Sequence, residues 1–279
     1  MAAAPPLPQP GKLDRKPNLL VVGLNQAAYP RGWPRYRASQ ILRWLYAKRA
    51  RSVERMTDLS RADRAALAAC ATIVRPPPHL IRTADDGTRK FLFSLEDGLT
   101  VESVLIPDGR RLTLCVSSQV GCTFDCAFCL TGTMGLKRNL KAHEIVSQVL
   151  SVQDELEPER RLSNLVFMGM GEPLANFEAV ADSITRLTNT DWGVAIPARR
   201  ITVSTAGLAS RLADVAPLGV NLAVSLNATT EAQRATLMPA VSRSYSLAAL
   251  MQACRTFPLK ARRRLTFEYV LLAGQNDSQ

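Results

Sequence analysis

The chain has 279 residues and a net charge of +11, with 47% hydrophobic and 21% charged residues. That balance excludes a disordered chain and suffices for one large domain or a large plus a small one. The excess of Lys and Arg gathers anions and points to a polyanionic partner, RNA or DNA ahead of a membrane, against the plainer account of a solvated basic exterior. Six cysteines are too few for a disulfide scaffold at this length, and clustered thiols need a reducing compartment. Residues 1–10 hold no apolar core of signal-peptide length and Leu19-Leu-Val-Val22 is too short to span a bilayer, so a cytoplasmic protein without membrane insertion is expected.

A Pro/Ala-rich tail over residues 1–17 is expected to be disordered, because Pro at that density joins neither helix nor sheet. Residues 18–75 then read as a small helical domain. Ile41, Leu42, Trp44, Leu45 and Tyr46 recur at helical spacing between Tyr36 and Lys48, and a second helix runs from Arg61 to Ala71. Its basic face suits phosphate contacts, although Arg stems packed along a solvated helix account for it equally well. Cys70 reads as core. Residues 76–111 follow as antiparallel strands, with Asp86-Gly87 and Asp97-Gly98 bracketing Arg89–Leu95 and Pro107-Asp-Gly109 closing Leu99–Ile106. Within them Glu102 is either a buried general base or, more plainly, the outward member of an alternating strand.

From Leu112 the pattern is strand then helix, repeated. Strands read at Leu112–Val116, Leu165–Met168, Arg200–Ser204, Val220–Leu226 and Leu265–Leu271, with helices near Ala142–Leu156, Asn176–Leu187, Leu208–Val215 and Ser246–Cys254. Apolar strands alternating with helices imply a parallel sheet covered by helices, with ligands at the strands' C-terminal ends. There the chain places Met168-Gly-Met-Gly171-Glu172-Pro173, Ser204-Thr-Ala-Gly207 and Ser225-Leu226-Asn227. After the first strand come Cys122, Cys126 and Cys129 in one loop. Three thiols match an iron-sulfur cubane with one iron left open. The competing readings are structural zinc, which wants a fourth ligand, and three ordinary buried thiols. No GxGxxG opens a helix, and two histidines leave few parts for hydrolase triads. Cys254 reads as core.

The CxxxCxxC spacing with Phe128 before the last cysteine resembles the signature of radical S-adenosylmethionine (SAM) enzymes, and the Gly171-Glu172-Pro173 turn resembles their SAM-amino-group element. Val101–Val104, Leu114–Cys122, Met168–Asn176, Arg200–Gly207 and Thr266–Val270, in this order, closely resemble the bacterial dual-specificity 23S rRNA and tRNA adenine-C2 methyltransferases. The resemblance implies a partial (β/α)6 barrel over residues 112–279, with five of six strands present. It implies a [4Fe-4S] cluster on Cys122, Cys126 and Cys129, and SAM contacts from Gly171, Glu172, Ser204, Ser225, Leu226 and Asn227. It makes Cys115 the resolving cysteine and places Glu102 where the family is assigned a proton acceptor; between the two, the chemistry favours Cys115. One SAM would methylate an enzyme cysteine and a second would start the radical that delivers that carbon to adenine. Expected partners are 23S rRNA, tRNA and an electron donor such as flavodoxin or ferredoxin, acting on a monomer. The family pattern departs at Asn227, where relatives carry His, and continues past Gln279 to the methyl-accepting cysteine, so a chain that binds the cluster without completing methylation is expected. The alternatives are the sister group acting at adenine carbon 8 and a metal-stabilised RNA-binding module.

Overall fold

A computed structural model describes residues 18–21, 33–157, 159–260 and 263–277; the tail read as disordered lies outside them. In chain order the elements are α1 (Arg35–Tyr46), α2 (Arg61–Cys70), β1 (Leu80–Thr83), β2 (Arg89–Ser94), β3 (Thr100–Asp108), β4 (Arg111–Cys115), β5 (Gln119–Val120), α3 (Leu130–Thr133), β6 (Arg138–Asn139) and α4 (Ala142–Asp154). They continue with β7 (Asn164–Phe167), α5 (Phe177–Thr188), β8 (Ile201–Thr205), β9 (Asn221–Ser225), α6 (Glu231–Leu237), α7 (Pro239–Ser244), α8 (Leu247–Thr256) and β10 (Leu265–Glu268).

One sheet of eight strands runs β1-β2-β3-β4-β7-β8-β9-β10. Its first four strands pair antiparallel, and β4, β7, β8, β9 and β10 pair parallel. The meander thus feeds directly into five parallel strands, and among the described residues the sheet is open rather than closed into a barrel. Leu114, Leu165, Phe167, Ile201, Val203, Leu222 and Val224 alternate onto one face and are at most 1% exposed. Their burial against α4, α5 and the 3-10 stretch Ala209–Leu218 is worth about 1.5–3 kcal/mol per side chain. That stretch was expected as an α-helix, but Pro217 removes a donor and Gly219, at φ +66, ends the turn. The other face carries Cys115, Ser204, Ser225 and Glu268.

The N-terminal helices are bolted to this sheet unit through buried polar groups. Arg186 on α5 donates to Leu20 O (2.7 Å) and Tyr46 Oη (2.9 Å). Arg43 donates to Asp191 O (3.0 Å), so one cation of the expected phosphate face serves as a tether. Asp154, ending α4, takes Arg75 at 2.7 Å, Arg51 at 2.9 Å and Arg49 at 3.2 Å.

His143, near the start of α4, is buried. Desolvation, against the opposing charge of Glu144, draws its pKa from 6.5 down to about 4. The unfolded chain therefore binds the proton first as pH falls. The stability from keeping His143 neutral is complete above about 6.5 and is lost toward about 4, amounting to at most about 3 kcal/mol. His143→Gln is expected to flatten this acid limb, measured as melting temperature against pH.

Candidate active site

The cysteine loop leaves β4 and is held on both flanks. Gln119 Oε1 accepts from Glu172 N (2.9 Å) while its Nε2 donates to Thr123 Oγ1 (2.9 Å) and Asn139 Oδ1 (2.8 Å). Gly121 and Gly171 permit this closeness. A Cβ on Gly121 would stand 1.8 Å from Gly135 O, and one on Gly171, at φ +97, would stand 2.4 Å from Gln119 Cβ. On the other flank Ala127 N donates to Leu237 O (2.9 Å), and Ala240 N, at the start of α7, donates to Asp125 Oδ1 (2.9 Å).

Cys122, Cys126 and Cys129 line one cavity of about 230 Å³ with Gly171, Glu172, Ser204, Ser225 and Asn227. Eight of the eleven residues singled out from sequence therefore meet in one place. Leu226 is not in the lining; its N–H donates to Glu268 O (2.9 Å) and its carbonyl accepts from Arg234 (3.0 Å). Asn227, at φ +54, lines the cavity with a side chain already engaged, for its Oδ1 accepts from Val270 N (2.9 Å) and its Nδ2 faces Met238 Sδ (3.8 Å). Cys115 and Glu102 also lie outside the lining. The register Val104↔Cys115 puts Glu102, two residues from Val104, on the same face as Cys115. Its carboxylate is half exposed and pairs with Lys90 at 3.1 Å.

One residue at the rim escaped the sequence reading. Glu268, ending β10, accepts from Ser204 Oγ (2.8 Å) and Ser225 Oγ (3.0 Å) through one oxygen, and it lines the same cavity. The parallel register Glu268↔Ser225 makes the contact.

The donor set suits a cluster better than a single ion. Among the described residues no three His, Cys, Asp or Glu side chains converge on one point that could hold a metal ion. Three thiols lining one cavity, with no fourth Cys or His among its lining residues, match a cubane that takes one thiolate per iron and leaves one iron open. Burial pushes the Cys122 thiol up to about 11 and the Cys126 thiol up to about 12, with neighbouring negative charges adding to both. Phe124 N donates to Cys122 Sγ at 3.3 Å, a bond that favours thiolate. Glu172 is 3% exposed. Its oxygens accept from Leu174 N (3.0 Å) and Ala206 N (2.7 Å), yet burial still lifts its pKa to about 7. A buried carboxylate that no described cation pairs suits the ammonium of SAM. Burial likewise pushes Cys115 up to about 11, eased by a bond from the Met168 backbone and reinforced by the charge of Glu268.

The Radical SAM superfamily model matches residues 116–279, and the ribosomal RNA large subunit methyltransferase N-terminal domain model matches residues 23–73. A protein of Pelobacter propionicus named dual-specificity RNA methyltransferase RlmN is 50% identical over 270 residues, covering 96% of this chain and 76% of its own length. One of the same name from Geobacter sulfurreducens is 52% identical over 249 residues, covering 89% and 68%. The crystal structure of a radical SAM methyltransferase from Sphaerobacter thermophilus superposes with a TM-score of 0.85 at 42% identity, covering 94% of this chain and 78% of that one. With the superfamily model spanning more than half of it and relatives at half identity over most of their length, this chain belongs to the radical SAM dual-specificity RNA methyltransferase family.

Proposed function

We propose that this protein methylates carbon 2 of an adenine in folded RNA, in 23S rRNA and tRNA, with Cys122, Cys126 and Cys129 holding a [4Fe-4S] cluster and the strand ends holding SAM. The observation that carries the proposal is the single cavity uniting the three thiols with Glu172, Ser204 and Ser225 in a chain of this family. Adenine carbon 2 is electron-poor and does not attack a methyl cation donor, so polar transfer fails. When bound, the cluster and SAM supply one-electron cleavage of a C–S bond and hence a carbon radical.

The chain's own groups orient and move protons around that chemistry. Glu172, ionised, binds the SAM ammonium and is itself fixed by the Leu174 and Ala206 N–H groups. Ser204 and Ser225, pinned on Glu268, offer their remaining hydroxyl capacity to SAM. Asn227 contributes its backbone and position, since its amide is engaged elsewhere. Cys115 takes the ring proton at Sγ. Its burial and the charge of Glu268 push the thiol up to about 11, so it must first give up its own proton and then holds the ring proton firmly. Glu102, on the same face, sits beside Lys90 and serves as the next proton site. The exposed basic residues of the N-terminal helices contact RNA phosphates, and the target base unstacks to enter the cavity. A one-electron donor protein such as flavodoxin or ferredoxin reduces the cluster, and the enzyme acts as a cytoplasmic monomer.

Anaerobic reconstitution with iron and sulfide, followed by dithionite, SAM and ribosomal RNA, tests this. Broad visible charge-transfer absorption and SAM cleavage are expected, and any adenine that is modified is expected to carry its methyl group at carbon 2 by mass spectrometry. Zinc binding without SAM cleavage, or modification at carbon 8, overturns it.

A further inference from the structure

Behind the strand ends lies a buried cation that the site as described does not use. Arg234, on α6, is 0% exposed. Among the described residues it makes no ion pair with any carboxylate; burial draws its pKa down against the charges of Glu231 and Cys126. Burying a guanidinium without a counter-ion costs several kcal/mol, so packing alone is a poor reason for keeping one here.

Its contacts point to the site. Arg234 Nη2 donates to Ala206 O (2.7 Å), just past the end of β8, and Nη1 donates to Leu226 O (3.0 Å), just past β9. The N–H of the same residue, on the preceding peptide, donates to Glu172 Oε2 (2.7 Å), so Arg234 and Glu172 grip the two adjoining peptides of Ala206 at the end of β8. Nε has no partner. The close approach depends on Gly207, at φ +111, where a Cβ would stand 2.8 Å from Arg234 Nη2. Three residues further along α6, Leu237 O receives Ala127 N of the cysteine loop (2.9 Å). One short helix therefore couples the cation, two strand ends and the cluster loop.

We propose that Arg234 is a positioning residue that also compensates charge: it fixes the strand-end carbonyls beside the SAM site, and its buried charge offsets the negative charge of the thiolate-bound cluster. This rests on the cluster-and-SAM reading above. Reduction adds a negative charge to a centre already carrying three thiolates, and a fixed cation in a poorly screened interior favours that reduced state. Arg234 thereby raises the reduction potential and makes the first electron easier to supply. A guanidinium placed only for packing would affect stability and leave the potential alone.

The test compares the reconstituted chain with Arg234→Gln and Arg234→Lys by redox titration under electron paramagnetic resonance and by SAM binding. Arg234→Gln is expected to disfavour reduction about tenfold, ~59 mV for a one-electron couple. Arg234→Lys is expected to keep the potential and to bind SAM about tenfold more weakly, because an ammonium lacks the planar fork that spans both carbonyls. An unchanged potential in Arg234→Gln, or an equal shift in both variants, overturns the proposal. Should Arg234→Gln not retain a cluster, Arg234→Lys decides: SAM bound as tightly as by the wild type overturns it, and weakened SAM binding at an unchanged potential supports it. A wild-type chain that takes up no cluster overturns the function proposed above, a failure visible before either variant is compared.

Discussion

Cys126→Ala is expected to abolish the cluster and, with it, all cleavage of SAM, while the fold persists. Cys126 lies between the other two thiols in sequence, and its carbonyl receives the Cys129 N–H at 3.0 Å, so the backbone of the loop survives loss of the side chain. What disappears is one of three protein ligands on a centre that finds no spare thiol among the residues lining the cavity. Two thiolates leave a second iron without a protein ligand, and such a cluster is lost on desalting. The check is iron and sulfide content with visible absorption, alongside far-ultraviolet circular dichroism and a melting curve. Because the thiol is only partly buried, a stability change of about 1 kcal/mol or less is expected. Cys254→Ala, on the half-buried face of α8, is the control and is expected to keep full cluster content. A Cys126→Ala protein that still cleaves SAM would falsify the ligand assignment.

Glu172→Gln is expected to weaken SAM binding about a hundredfold, ~2.8 kcal/mol, with the cluster retained. The substitution removes the charge that receives the ammonium. It also turns one amide NH2 group toward either the Leu174 or the Ala206 N–H, leaving a buried donor unmatched at about 1–3 kcal/mol. The pH dependence sharpens the test. With its carboxyl pushed up to about 7 in the free protein, wild-type affinity is expected to climb as pH rises through that value, because only the ionised form attracts the ammonium; Glu172→Gln is expected to be flat. The linkage runs the other way for folding. A carboxyl whose folded pKa is raised stabilises below its unfolded value and loses that contribution as pH rises through about 7. The ligand-free Gln variant is therefore expected to melt no lower than wild type above neutrality, even as its SAM affinity collapses. Affinity in the variant that equals wild type at alkaline pH would sink the assignment.

The sequence was most legible where chemistry is local. The cysteine spacing, the glycine-rich turn before Glu172 and the alternation of apolar strands with helices each sit within a few residues, and the sheet reproduces five parallel strands entered from an antiparallel meander. Contacts that depend on register were hidden. Glu268 reads as one acidic residue in a short strand, and only its alignment with Ser225 makes it a partner of two serines. Arg234 sits on α6, a seven-residue helix too short for apolar periodicity to reveal. Asn227 was expected to contact SAM in place of the relatives' His, yet the chain turns back after β10 and occupies its Oδ1 through Val270 N. Arg43 belonged to a basic helix face read equally as phosphate-gripping or solvated, because nothing in its own helix announces Asp191, 148 residues away.

The buried bolts between the N-terminal helices and the sheet unit carry a consequence for how substrates are selected. Swinging the helices away would strip Arg186 of Leu20 O and Tyr46 Oη and would leave Arg75, whose side chain is 1% exposed, without Asp154. Arg186 would keep its pair with Asp182 but lose both acceptors, and Arg75 would lose its carboxylate partner, so separating the helices from the sheet unit breaks several buried contacts at once. On the function proposed above, the molecule is expected to work as a fixed calliper: the span from the basic helices to the cavity is set by these non-covalent contacts before any RNA binds. On that reading an RNA is accepted or refused by whether its fold presents an adenine at that span from a phosphate run, and two RNAs of unrelated sequence are expected to qualify equally if their three-dimensional outlines match.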